Sequence, residues 1–302
     1  MKFSYTIIIE VVNVAYFLIL LGVLTNLCEG MVVKSHGKKY SGGFIFTGIV
    51  SLFSMMFFLI RGIASGGINI DARIIPFGIL GGVLYATSSV LTYEAFSKGS
   101  FALSNLILSY TLVFSVVYGL IFQNEAKDAT IFTYIGFLAL ALSIYLVKGT
   151  GTNKGDKSRV SLYWFVCIFL SFAGSGMYGI VKRIQQRMFE TKLDNEYMVI
   201  ALGFSAVSLI AIGLIKEKKG IGVLFQKGNL YAVGAGAFNG LTNMTGLIVN
   251  TMFAFSGASV LRTGIKLLLI FLISLLFYKE KFTKLQVTGA VLGVASIILF
   301  SI

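Results

Sequence analysis

Nine stretches of this chain, residues 11–28, 40–60, 74–93, 99–124, 129–147, 160–181, 197–215, 228–261 and 285–302, each run for 18 residues or more without Asp, Glu, Lys or Arg. A helix that crosses a bilayer needs roughly 20 consecutive, mostly apolar residues, so the chain reads as an all-α polytopic membrane protein. A charge inside such a span is costly, which makes it the first candidate for function. Composition points the same way: 57% of residues are apolar and 12% charged, too little polar surface to coat a water-soluble domain. The net charge of +13 would suggest nucleic acid in a soluble chain. Here the cations fall in short connectors that face anionic headgroups, and no nucleic-acid partner is expected.

Beyond Lys227 the low-charge region continues to Tyr278, interrupted only by Arg262 and Lys266. It is too long for one span and fits two, with a break at Phe255, Ser256 and Gly257. The expected total is then ten spans, with both cations inside the ninth. Short connectors leave no room for a separate soluble domain. Cys28 and Cys167 lie far apart in apolar stretches and read as buried hydrophobes. Lys2 is followed by Glu10 and an apolar run to Leu27, which lacks the layout of a cleavable signal peptide and is expected to stay as a span.

The two halves, 1–150 and 151–302, echo each other. Leu24 to Lys34 reads LTNLCEGMVVK and Ala173 to Arg183 reads AGSGMYGIVKR, so Gly30 matches Gly179, Val32 matches Val181 and Lys34 matches Arg183. In the fourth and ninth spans Ala102 matches Gly257, Ser104 matches Ser259, and Glu125 and Glu280 each end a span; Gly136 and Gly289 then open the fifth and tenth. A repeat with five spans per half must insert in opposite senses. The expected architecture is ten transmembrane helices in two inverted five-helix repeats.

The carriers of this pattern are the segments from Phe96 to Val147 and from Phe253 to Phe300: a small-residue start, a long apolar span, an acidic residue at its end and a Gly-containing final span. In these the chain resembles the drug/metabolite transporter superfamily, specifically its ten-span members built from two EamA-type halves. The resemblance implies a secondary transporter of the cell (plasma) membrane with cytoplasmic termini. Lys and Arg are instead more abundant in the connectors after odd-numbered spans, which by the positive-inside rule puts both termini outside.

Ser259, Arg262, Thr263 and Lys266 fall at i, i+3, i+4 and i+7 and share one face of a helix otherwise rich in Leu, Ile and Phe. A mid-helix Arg or Lys costs about 2.5 to 3.5 kcal/mol on insertion scales, so it must find water, a counter-charge or a ligand. One reading is an anion site, in which the guanidinium fork grips carboxylate or phosphate beside an ammonium point charge. The other is a brace, paired with Glu29 or Glu94. Basic residues on the ninth span also resemble those of sugar-phosphate and nucleotide-sugar carriers of the same superfamily, which implies an anionic or zwitterionic substrate.

Glu94 is either a deep carboxylate that takes a proton or a substrate ammonium, or half of an interfacial pair with Lys98 at i, i+4. Glu29, opposite Tyr178 in the repeat register, raises the same choice. A first-span Glu also resembles that of small multidrug transporters, which implies proton-coupled export of cationic drugs as the alternative function. Asn239, Asn243 and Asn250 share a face of the eighth span and either bind a polar ligand or join helices; Tyr93 and Tyr178 either cap a ligand or pack.

Parts for an enzyme are missing. The single His36 is expected in a basic loop, no Cys or His cluster offers a metal site, and no Gly-rich phosphate loop ends in Lys-Ser or Lys-Thr. No cofactor is expected, and the work must be driven by a coupling proton or counter-substrate. The sequence reading is thus a transporter of a small polar metabolite, with a cationic-drug exporter and a non-transporting membrane scaffold as alternatives.

Overall fold

The computed structural model describes residues 2–40, 42–122, 130–148, 161–217, 227–252, 255–280 and 282–299. All regular structure in them is helical: α1 (Lys2–Lys39), α2 (Gly43–Ala64), α3 (Ile75–Lys98), α4 (Phe101–Ser109), α5 (Leu112–Phe122), α6 (Ile131–Lys148), α7 (Leu162–Met188), α8 (Asp194–Lys216), α9 (Leu230–Met252), α10 (Phe255–Ile273) and α11 (Lys284–Leu299). Six segments among the described residues are long and apolar enough to cross a membrane: Asn13–Lys39, Gly43–Ala64, Ala72–Lys98, Phe101–Phe122, Leu162–Met188 and Asp194–Lys216. The helix α9 has the length but is diluted by Asn239, Asn243, Asn250 and its glycines, and the apolar helices Ile131–Leu146, Ile265–Tyr278 and Lys284–Leu299 are shorter.

The molecule exposes large apolar side chains and buries many polar ones. Leu138, Val207 and Ile215 are more than two-thirds exposed, whereas Ser51, Ser54, Ser171, Ser205 and Gln185 are fully buried. Such an outer surface would aggregate in water and suits lipid: this is a membrane protein.

Local chemistry sets the helix ends. Pro76 sits in the first turn of α3, where its missing N–H breaks no helical bond. The fourth low-charge run is not one helix: it is interrupted at Tyr110 and Thr111. No Pro or Gly causes this. Instead Ser109 Oγ donates to Asn105 O and Thr111 Oγ1 to Leu108 O, hydroxyls competing for the carbonyls a continuing helix would use. After α10 a single π-helical turn, Ser274–Tyr278, ends at Lys279 in the left-handed conformation (φ 49°) and folds Glu280 back onto the bundle.

The dominant helix pairs are α2 with α8, α1 with α9, α3 with α7 and α6 with α11, while α10 packs on α4 and α5. The largest apolar cluster joins Leu27, Leu106, Tyr110, Leu112, Ile168, Leu267 and Ile270. Trp164, fully buried in it, donates its indole N–H to Ser104 Oγ at 2.9 Å, and the ring fills the space a side chain at Gly99 would need.

Candidate functional site

Two adjoining cavities lie among these helices. The larger, about 260 Å³, is lined by α1, α2, α3, α4, α7, α9 and α10 and receives Glu29, Asn239, Asn243, Tyr178 and Lys266. The smaller, about 150 Å³, receives Lys182, Arg262, Asn250 and Thr263. Thr111 and Ser175 border both, so the interruption between α4 and α5 stands where the cavities meet.

In the larger cavity Asn239 is the hub. Its amide N–H donates to Glu29 Oε1 at 2.9 Å, and its side-chain oxygen accepts from Ser54 Oγ at 2.8 Å and from Asn243 Nδ2 at 3.0 Å. Glu29 is therefore held by a neutral partner. Lys266 is near enough for its charge to act on Glu29, yet the ion pairs among the described residues are Lys34–Glu280, Arg73–Asp71, Lys98–Glu94 and Lys192–Glu190. A carboxylate and an ammonium thus share one polar space without being locked together.

The predicted site residues divide. Glu29, Asn243, Tyr178 and Lys266 line the larger cavity and Arg262 the smaller; one helical turn, about 6 Å along the axis, separates the two cations. Ser259 lies in α10, but its side chain is outside the described residues. Tyr93 does not line either cavity. It is 3% exposed, hydrogen-bonded to His36 Nδ1 at 2.9 Å and packed against Phe46. Glu94 takes the interfacial alternative: it pairs with Lys98 at 2.6 Å, is reached by Tyr163 Oη at 3.2 Å, and brings its charge to neither cavity.

His36 is not in a loop. The helix α1 continues to Lys39, and His36 is buried, stacked on Phe46. Lys182 stands just past the uncharged run that stops at Val181, where a connector would begin, but α7 runs on to Met188. Its Nζ is 3.4 Å from Asn243 Oδ1 and lies over the Tyr178 ring, linking the two cavities. A charge one residue past an uncharged run was the signal for it.

The second unexpected cluster closes one end of the bundle. Glu280 accepts from Lys34 Nζ at 2.7 Å, Ser100 Oγ at 2.6 Å, Ser274 Oγ at 2.6 Å, and the backbone N–H groups of Phe101 at 2.7 Å and Ala102 at 3.2 Å. It thus joins α1, α4 and the end of α10. The carboxylate caps the α4 N-terminus, where free N–H groups and the helix dipole favour negative charge. Burial pushes its pKa up, but Lys34, the two hydroxyls and the Phe101 N–H override that and hold it at about 2. Its repeat counterpart Glu125 lies outside the described residues.

No family model matches the chain, and no curated protein matches it. Solved structures do: one, described only as the crystal structure of a protein, superposes with a TM-score of 0.61 over 94% of this chain and 98% of its own, at 12% sequence identity. At that identity the likeness speaks for the fold alone.

Proposed function

We propose that the chain is a secondary transporter of ten spans in two inverted five-helix halves, which moves a small polar organic solute, anionic or zwitterionic, by alternating access. The observation that carries this reading is the larger cavity: Glu29, Lys266, Asn239, Asn243 and Tyr178 facing a common space inside a lipid-facing bundle. Buried polar groups without a binding role are expected to satisfy one another; here an ammonium and a carboxylate are kept apart. Helix packing supports the repeat. Exchanging the halves turns the pair α1–α9 into α7–α3 and α2–α9 into α8–α3, and all four pairs are present.

In this mechanism the positive charge of Lys266 draws the solute into the larger cavity, Asn243 and Tyr178 orient its polar body, and Glu29 takes an ammonium or the coupling proton. Energy comes from a solute or proton gradient, and no covalent step is involved. Uptake into proteoliposomes of anionic, zwitterionic and cationic radiolabelled panels tests it. Uptake of an anion or zwitterion that Lys266→Gln weakens at least tenfold is the expected result; no uptake from any panel leaves a scaffold. A second reading, proton-coupled export of cationic drugs, draws on Glu29 having, among the described residues, the neutral Asn239 alone as hydrogen-bond partner. Movement of the cationic panel alone, abolished by Glu29→Gln, would select it.

A further inference from the structure

The smaller cavity holds an arrangement that the transport reading leaves unused. Lys182 from α7 and Arg262 from α10 converge on Gly246 of α9: a β-carbon placed on Gly246 would stand 3.5 Å from Arg262 Nη1, 3.8 Å from Lys182 Nζ and 3.9 Å from Arg262 Nη2. Two like charges aimed at one stretch of backbone repel each other. Neither cation belongs to an ion pair among the described residues. The acid whose charge reaches Lys182 is Asp194, and it is already bound by the side-chain amides of Gln185 and Gln186 at 2.9 and 3.0 Å. Arg262 Nη2 is buried with no hydrogen-bond partner among the described residues, a costly state for a charged group. Cations so placed in a low-dielectric bundle call for an anion.

We infer that Lys182 and Arg262, which meet over the side-chain-free Gly246, form a subsite for the anionic group, carboxylate or phosphate, of a small solute. The guanidinium fork takes two oxygens and the ammonium a third, a geometry suited to planar or tetrahedral oxyanions. Glycine is required because a side chain would occupy the space of an anion oxygen. Since Thr111 and Ser175 border both cavities, the remainder of the solute extends into the larger one, beside Asn243, to which Lys182 already reaches. This last step rests on the transport reading; the subsite itself does not.

The test is therefore binding, not transport. Detergent-purified full-length protein is titrated with inorganic phosphate and with succinate, ionic strength being held constant with sodium chloride, and the unfolding midpoint is followed. A ligand that binds only the folded state raises it in a saturable way. The expected result is saturable stabilisation by at least one of the two anions, weakened tenfold or more in Lys182→Gln, Arg262→Gln and Gly246→Ala. Lys182→Arg should bind within about threefold of wild type, since it keeps the charge and the fork, and Lys192→Gln, at an exposed lysine, should bind as wild type. The Gly246→Ala methyl meets its neighbours at ordinary contact distance, so this variant folds even where a charge removal does not. Absence of stabilisation by both anions overturns the assignment, as does wild-type affinity in both Lys182→Gln and Gly246→Ala, or stabilisation by phosphatidic acid in mixed micelles alone. Anion binding without uptake of any solute would leave the subsite standing and remove the transport reading.

Discussion

The residues Lys34 on α1 and Arg183 on α7 occupy matched positions in the two halves, yet their surroundings differ. Around Lys34 the structure is shut. The helix α1 packs directly on α3, a β-carbon on Gly37 would stand 2.6 Å from Ser97 Cβ, and Lys34 is clasped by Glu280. Around Arg183 the corresponding helices, α7 and α9, make no comparable backbone approach among the described residues. Long side chains cross the gap instead: Arg183 Nη1 donates to Asn250 O at 2.8 Å, Gln186 Nε2 to Leu247 O at 3.4 Å, and Lys182 reaches Asn243. The smaller cavity lies in that gap. The lesson is that matched sequence positions take opposite roles, clasp at one end and bridge at the other; the alternating access we propose would call for such an asymmetry in any single state.

Removing the clasp is expected to have the largest effect. Glu280→Ala leaves Lys34, with 3% of its side chain exposed, as a buried charge without its partner, and should lower unfolding free energy by about 3 to 5 kcal/mol. Arg183→Gln should cost clearly less in the same denaturation measurement, and equal losses would erase the distinction between the ends. Next comes Gly37→Val, which overpacks the α1–α3 contact and should cost about 1 to 3 kcal/mol; Gly179→Val, whose site is open, should cost less than half as much. A pH series sharpens the same contrast. Folding holds Glu280 below its ordinary value of 4.5, at about 2, so its contribution is complete above about pH 4.5 and fades as pH falls through about 2. Glu280→Gln should lack that component of acid sensitivity. The smallest effect belongs to Glu94→Gln: its i, i+4 pair with Lys98, whose side chain is 53% exposed, should be worth no more than about 0.5 kcal/mol by thermal unfolding.

The membrane class was legible in the sequence because lipid excludes charge, so long uncharged runs report helices directly. What those runs do not report is where a helix stops. The helices α1 and α7 continue past the last apolar residue, and the charges they carry there, Lys34, His36 and Lys182, look like connector residues until the fold turns them inward. Helical spacing rightly grouped Arg262 with Lys266, but a shared face is not a shared space when neighbouring helices divide it. For Tyr93 and Glu94, adjacent on α3, nothing local distinguished packing, surface pairing and cavity; the choice was made by His36 and Phe46 on one side and Tyr163 on the other. Glu280 was visible only as the end of a span, since four of its five donors lie elsewhere in the chain.

The chain contains a single tryptophan, and Trp164 is wedged against Gly99, whose carbonyl receives Lys34 Nζ at 3.3 Å, while its indole N–H is bonded to Ser104 in the helix that Glu280 caps. Parting of that end would expose or repolarise the only indole present. The emission wavelength of the unlabelled protein is thus a built-in optical gauge of whether the clasped end is open, readable in a cuvette.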